Sequence, residues 1–87
     1  MGYKILYSPS AEKYLTRLTQ SKASSVLKRI QFVATNPFKP DNNIVKLSGT
    51  VSSYRLRIGD IRVIYGLDVE NKIIYVVKIS PRGSVYS

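Results

Sequence analysis

The sequence contains no histidine and no cysteine, and these two absences exclude several kinds of catalytic site. Zinc sites built from Cys and His side chains cannot form, disulfides cannot form, and the commonest general acid and base of enzymes is missing. Acidic residues are scarce, because Asp and Glu together number only five. Asp68 and Glu70 lie close together in a predicted turn, but five scattered carboxylates suggest no site for Mg²⁺ or Ca²⁺. Any chemistry is therefore expected to use Lys, Arg, Tyr, Ser and backbone groups, without a metal or other cofactor.

Long hydrophobic runs are absent as well. No stretch approaches the length of a membrane span, and the apolar N-terminal segment turns polar at Ser8, Pro9 and Ser10, too early for the core of a signal peptide. We therefore predict a cytoplasmic protein with no membrane association. The lack of cysteine is compatible with that location.

Positive charge is what the sequence has in excess. Fourteen Lys and Arg residues against five acidic ones give a net charge of +9. Such a field favours polyanions, namely nucleic acid, anionic lipid or an acidic protein. Lipid is the weakest of these candidates, because neither predicted helix is a basic amphipathic anchor.

Apolar spacing predicts one strand followed by two helices in the first part of the chain. Tyr3 to Tyr7 reads as a strand, and Ser8 and Pro9 suit the N-cap and first residue of a helix. A first helix is then indicated by Ala11, Tyr14, Leu15 and Leu18, which recur at helical spacing. A second, longer helix follows a break near Thr19 to Ser21 and stops at Asn36 and Pro37.

The rest of the chain reads as strands joined by short loops. The candidate strands are Ile44 to Leu47, Tyr54 to Ile58, Ile61 to Tyr65 and Ile73 to Ile79. The last is apolar enough to predict a central strand that is buried on both faces. Grouped helices followed by grouped strands predict a single α+β domain over residues 1–87, in which a helical hairpin covers one face of a small, largely antiparallel sheet.

An arginine stripe marks the segment Tyr54 to Ile58, in which apolar and cationic residues alternate. If Gly59 and Asp60 form a two-residue type II′ hairpin loop, Arg57 lies directly opposite Arg62 on the same face. Opposed like charges destabilise a sheet, so we expect an anion to compensate them.

The stripe also has a purely structural interpretation, in which the arginines form a solvated outer face that keeps the sheet soluble. However, Asp60 is the only acidic residue between Asn42 and Leu67, whereas a surface built for stability mixes both signs. This imbalance favours an anion-binding face.

Among the tyrosines, Tyr14 and Tyr75 look like core residues.

The C-terminal segment has two readings as well. It is either a frayed terminus or a pair of groups, Arg82 and Tyr86, that supplies a phosphate fork and a stacking ring. Tyr54 is a further tyrosine able to contact bases. Composition does not decide between the two readings.

The chain resembles a known family in the order and spacing of three short motifs. The motifs are Lys46-Leu47-Ser48-Gly49, the segment from Tyr54 to Tyr65 written Y-R-x-R-x-G-x-x-R-x-x-Y, and the terminal Arg82-Gly83-Ser84-Val85-Tyr86. In this order, within one small basic domain, they resemble the RelE branch of the RelE/ParE toxins of toxin-antitoxin systems.

The resemblance implies a ribosome-dependent, metal-independent mRNA endoribonuclease that inhibits translation. Its implied partners are mRNA, the ribosome and a cognate antitoxin, and the toxin-antitoxin complex contacts operator DNA. By position, Arg62, Arg82 and Tyr86 are the implied catalytic residues. The RNA-binding residues that it implies are Arg55, Arg57 and Lys46, and we add Lys78 to them as a further cation of this chain. Attack by the ribose 2′-hydroxyl would leave 2′,3′-cyclic or 3′-phosphate ends.

The chain departs from the RelE pattern in ways that affect the proton acceptor. Arg55 and Arg57 stand where the family has lysines, and Ser48 stands where it has an arginine. Arginine does not lose its proton near neutral pH, so neither strand arginine is a general base. Lys46, Lys78 and Tyr86 stay open as candidates.

Two other functions stay open on the same sequence. One is inhibition of DNA gyrase by a ParE-like toxin, which needs no nuclease site. The other is a non-catalytic basic module that binds nucleic acid or an antitoxin.

Overall fold

The fold follows the predicted order of one strand, two helices and a run of strands. The computed structural model describes residues 2–47 and 53–81. The elements are β1 (Lys4–Tyr7), α1 (Pro9–Arg17), α2 (Gln20–Thr35), β2 (Ile44–Lys46), β3 (Ser53–Ile58), β4 (Ile61–Asp68) and β5 (Ile73–Pro81). Neither helix in these ranges has the length and apolar character needed to cross a bilayer.

Hydroxyl side chains start both helices. The Oγ of Ser8 accepts a hydrogen bond from the Ala11 amide at 3.0 Å and donates one to the carbonyl of Val77 at 2.6 Å. Ser8 therefore caps α1 and at the same time ties its start to β5. Thr19 caps α2 by accepting from the amide of Lys22 at 3.2 Å. These contacts confirm the predicted helix starts and the break between the helices.

The five strands form one mixed sheet in the order β1-β5-β4-β3-β2. β1 runs parallel to β5, and the other three pairings are antiparallel. The first and last strands are therefore neighbours, with β1 and β2 at the two edges. This architecture confirms the predicted α+β fold.

The hairpin between β3 and β4 has the predicted register. Gly59 has a φ of 57°, and among the described residues Lys72 is the only non-glycine with a positive φ. Asp60 therefore has a negative φ, which suits a type II′ loop and not a type I′ loop. Ile58 pairs with Ile61 next to the loop, and Arg57 pairs with Arg62.

The core lies between the helices and one face of the sheet. Helix residues such as Val26 and Ile30 share it with Leu56, Val63 and Val76, all of which are almost completely buried. Along β3 and β4 burial alternates from residue to residue, as expected when one face of a sheet is covered.

The prediction that β5 is buried on both faces is wrong. β5 is an inner strand, yet Tyr75 is 42% exposed and Val77 is 46% exposed. Tyr75 is therefore not a core residue, whereas Tyr14 packs against the core as predicted. The physical reason is that the helices contribute apolar side chains to one side of the sheet only, so a continuous apolar run here has one open side.

Candidate functional site

Arg55, Arg57, Arg62 and Lys78 lie together where β3, β4 and β5 are neighbours, on the face of the sheet that the helices leave open. Residues paired directly across a sheet point to the same side. Arg57 pairs with Arg62, Arg55 pairs with Ile64, and Ile64 pairs in turn with Lys78. We call the surface formed by Arg55, Arg57, Arg62 and Lys78 the cationic face.

Burial of the alternate residues fixes this orientation. Leu56 lies between Arg55 and Arg57 in sequence, and Ile61 and Val63 flank Arg62. All three apolar residues are at most 5% exposed. A slip of the register by one residue would place arginines in the core, which is strongly unfavourable. The hydrophobic pattern of β3 and β4 therefore determines where the positive charge is displayed.

The charge on the cationic face is not neutralised within the described part of the chain. The ion pairs there join Lys22 to Asp60 at 3.9 Å and Arg29 to Asp41 at 2.5 Å, and neither includes a residue of the cationic face. Asp60, the nearest acidic residue in sequence, is thus paired with α2. Arg57 has a neutral partner, the Oδ1 of Asn43 at 3.3 Å.

Lys46 is not brought together with the other predicted cations. It pairs with Tyr54, whose ring stacks on Tyr65 with centroids 5.5 Å apart. Tyr65 is buried on the helix side, and burial raises its pKa to about 12. Lys46 therefore lies on the opposite side of the sheet from the cationic face. Tyr54 is half-buried in the stack, and contact of its ring with bases stays a prediction.

Two predicted catalytic residues, Arg82 and Tyr86, lie outside the described residues, as does Ser48. The last described residue, Pro81, pairs with Ile61 at the start of β4, and Ser80 pairs with Arg62. The chain thus leaves β5 beside Arg62. The roles of Arg82 and Tyr86 stay predictions.

Sequence reasoning missed two features of this region. Leu6 pairs with Tyr75 on the open face, and both are about 40% exposed, so an aliphatic and an aromatic group accompany the cations. It also missed Asn43 as the partner of Arg57. An Asp-Asn-Asn segment signals a turn, but only the pairing of β2 with β3 shows which strand residue that turn approaches.

Asp41 and Asp68 are hydrogen-bonded to partners outside the cationic face. Hydrogen bonds from the Arg29 guanidinium and the Asn43 amide hold the pKa of Asp41 below its usual value, and Asn71 does the same for Asp68. Within residues 2–47 and 53–81 no group of three or more acidic side chains forms a candidate metal site. The chemistry available on the open face is hydrogen bonding and charge stabilisation by guanidinium and ammonium groups. Bidentate guanidinium contacts suit the oxygens of a phosphate.

Comparison with known proteins gives a family match over most of the chain. The model of the family described as "ParE toxin of type II toxin-antitoxin system, parDE" matches residues 5–86. No curated protein matches the sequence.

Solved structures with the same fold include RelE toxins and a YoeB/ParE toxin. A RelE-RelB complex from Pyrococcus horikoshii contains a chain that is 30% identical, with 97% of this chain and 99% of that chain covered and a TM-score of 0.83. The isolated RelE toxin of E. coli is 22% identical, with coverages of 97% and 90% and a TM-score of 0.77. A YoeB/ParE toxin from Agrobacterium tumefaciens is 14% identical, with coverages of 91% and 98% and a TM-score of 0.73.

Proposed function

Since the chain belongs to the RelE/ParE family of type II toxin-antitoxin toxins, we propose that it acts as an endoribonuclease that cuts messenger RNA. The proposed substrate is mRNA in the ribosomal A site, and the proposed reaction requires no metal ion. The consequence for the cell is inhibition of translation in the cytoplasm.

One observation carries this proposal: the cationic face keeps two directly opposed arginines without an acidic partner in the described residues. Such an arrangement costs stability in the free protein. RNA phosphates that accept hydrogen bonds from these guanidinium groups would offset the repulsion and contribute binding energy. The exposed ring of Tyr75 on the same side adds a surface of the kind on which unpaired bases stack.

In the proposed reaction the ribose 2′-oxygen attacks the adjacent phosphorus and the 5′-oxygen of the next nucleotide leaves. The products are a 2′,3′-cyclic phosphate, which can open to a 3′-phosphate, and a 5′-hydroxyl. Arg62 and Arg82 are assigned to the scissile phosphate, where they would stabilise the additional negative charge. Tyr86 is assigned to stacking on a base.

The flanking RNA backbone is assigned to Arg55, Arg57 and Lys78, and Lys46 is left out of this assignment because it lies on the other side of the sheet. Among the candidate proton acceptors, Lys78 is favoured over Lys46, because Lys78 shares the side of the sheet that carries Arg62. Tyr86 stays the third candidate. Proton transfer is worth about 10²–10⁴-fold, so alignment and charge stabilisation would supply much of the rate.

We also propose a cognate antitoxin as partner. Structures that resemble this chain include complexes of RelE with RelB from Pyrococcus horikoshii and from E. coli. An antitoxin segment with acidic or apolar residues would complement the cationic face and the adjacent Leu6 and Tyr75. Contact with operator DNA is assigned to the complex. Co-purification with the product of the neighbouring gene tests the partnership.

The decisive experiment measures cleavage on ribosomes programmed with a defined mRNA. The double variant Arg62→Ala, Arg82→Ala is expected to lose cleavage, whereas Lys28→Ala, which removes an exposed charge from α2, retains it. Mapping of the 3′ ends should show cyclic or terminal phosphate. Full cleavage by the double variant contradicts the residue assignment, and 3′-hydroxyl ends contradict 2′-hydroxyl attack.

Inhibition of DNA gyrase is the second candidate, because the matching family model is that of ParE toxins. It predicts induced DNA breaks while cellular mRNA stays intact. Inducible expression followed by 5′-end mapping of mRNA distinguishes the two activities. A non-catalytic binding module would cause neither effect and no growth arrest.

A further inference from the structure

The loop between α2 and β2 contains a hydrogen-bonded turn that is anchored to α2. The Oδ1 of Asp41 accepts from the amide of Asn43 at 2.9 Å, and the Asp41 carbonyl accepts from the amide of Ile44 at 3.1 Å. The other carboxylate oxygen, Oδ2, accepts from Nη2 of Arg29 at 2.5 Å. This Asx turn is therefore braced by a charge-assisted bond to a helix that packs in the core.

Asn43, at the end of that turn, holds Arg57 at two points. Its carbonyl accepts from the backbone amide of Arg57 at 2.9 Å, which continues the ladder between β2 and β3 by one step. Its side-chain Oδ1 accepts from Nη2 of Arg57 at 3.3 Å. The backbone bond places Asn43 beside Arg57, and the side-chain bond then orients the guanidinium.

The direction of that orientation follows from the sheet order. β2 lies on one side of β3 and β4 lies on the other, so a guanidinium that reaches Asn43 turns away from Arg62. This separates the two opposed charges. Because the amide of Asn43 is neutral, it orients Arg57 without cancelling its charge, and the other N–H groups of the guanidinium have no hydrogen bond to a described residue.

We propose that Asn43, braced by Asp41 and Arg29, is a positioning residue that presents the Arg57 guanidinium to an RNA phosphate. This inference rests on the proposed function, since it assigns Asn43 a role at the same site. Asn43 acts through Arg57 and is not itself a catalytic residue. Holding one long side chain in its bound geometry is worth roughly a three- to tenfold gain in binding.

A double-mutant cycle on programmed ribosomes tests the proposal. Asn43→Ala removes Oδ1 and keeps both backbone contacts, so we expect cleavage at limiting toxin concentration to fall roughly three- to tenfold. In an Arg57→Ala background the same change is expected to have no further effect. Asn42→Ala alters an exposed neighbour and is the matched control with unchanged activity. Equal losses from Asn43→Ala in both backgrounds would overturn the proposal.

A second, independent test changes the charge of residue 43. Asn43→Asp would place a carboxylate at hydrogen-bond distance from Arg57 and neutralise it, so cleavage should fall below that of Asn43→Ala. The salt dependence of substrate binding should also become shallower, because one fewer phosphate is neutralised. Activity at or above the wild-type level in Asn43→Asp contradicts the proposed role.

Side-chain NMR of the free protein separates this inference from the function on which it rests. The Arg57 Nε–H signal should report an ordered guanidinium in the wild type and a mobile one in Asn43→Ala, with Asn42→Ala unchanged. Unchanged order in Asn43→Ala overturns the positioning role even if the protein cleaves mRNA. If the wild type leaves mRNA intact, the proposed function fails, and the NMR comparison still decides whether Asn43 orients Arg57.

Discussion

Arg62→Gln should stabilise the free protein while it removes activity. Arg62 lies directly opposite Arg57 and diagonally opposite Arg55, which is two residues away along β3. Two unit charges about 7 Å apart in water repel by about 0.6 kcal/mol, so removing Arg62 relieves at most about 1 kcal/mol from these two neighbours. For a domain of this size 1 kcal/mol corresponds to a rise in Tm of about 4–8 °C. The turn of Arg57 toward Asn43 reduces the repulsion, so we expect a rise of about 4 °C.

Thermal unfolding of the purified toxin at two salt concentrations is the assay. The stabilisation should be present at about 10 mM salt, where the Debye length is about 30 Å, and should largely vanish at about 1 M, where it is about 3 Å. Arg62→Lys is the matched control, because it keeps the charge at the same position and should not raise Tm. Lys28→Gln controls for the general benefit of lowering a net charge of +9.

Three results would refute this reasoning. The first is a lower Tm for Arg62→Gln than for the wild type at low salt. The second is a gain of the same size at both salt concentrations, which would point to packing instead of charge. The third is an equal gain for Lys28→Gln, which would show that the opposed pair has no particular cost. A stabilised but inactive Arg62→Gln variant would mean that the opposed arginines lower the stability of the free protein and are needed for its activity.

Two further predictions concern stability. Asp41→Asn should lower the free energy of unfolding by about 2 kcal/mol in urea titrations, because it leaves the half-buried Arg29 guanidinium without its counter-charge. The lowered pKa of Asp41 stabilises the wild type above about pH 4 and this contribution is lost as the pH falls through the folded-state value, so Asp41→Asn should lack that acid-induced loss. Gly59→Ala should lower Tm by about 4–8 °C, since a φ of 57° strains any Cβ by about 1 kcal/mol although the space around it is open. A smaller loss in Gly59→Asn would confirm that backbone strain is the cause, and an unchanged Tm in Gly59→Ala would contradict it.

Local signals in the sequence were sufficient for most of the architecture. Ser8 and Pro9 marked the start of α1, Asn36 and Pro37 marked the end of α2, and Gly59 with Asp60 specified a two-residue loop and hence the pairing of Arg57 with Arg62. Each of these features depends on the conformational preferences of residues that are adjacent in the chain. Such preferences act before any long-range contact forms, which is why they can be read without the structure.

Local signals in the sequence could not predict two features, the open side of β5 and the position of Lys46. An apolar run such as Ile73 to Ile79 fits a strand covered on one face or on both, because periodicity does not say how many layers pack against a sheet. Lys46 is the last residue of β2, and the register of β2 with β3 decides on which side of the sheet it lies, because a shift of one residue would move it to the other side.

Sequence information alone was enough to predict the helices, the hairpin, the net charge of +9 and the alternation that gathers arginines on one side of two strands. The helices and the hairpin depend on residues that are adjacent in the chain, and the net charge is a sum over all residues. None of them depends on how distant segments pack together. The pairing of the strands was needed to show that Lys78 joins the arginines, that Lys46 does not, and that Asn43 contacts Arg57 from the side of β3 away from β4. These are contacts between strands that are remote in the chain, and their geometry exists only once burial of one sheet face has fixed the register of every strand.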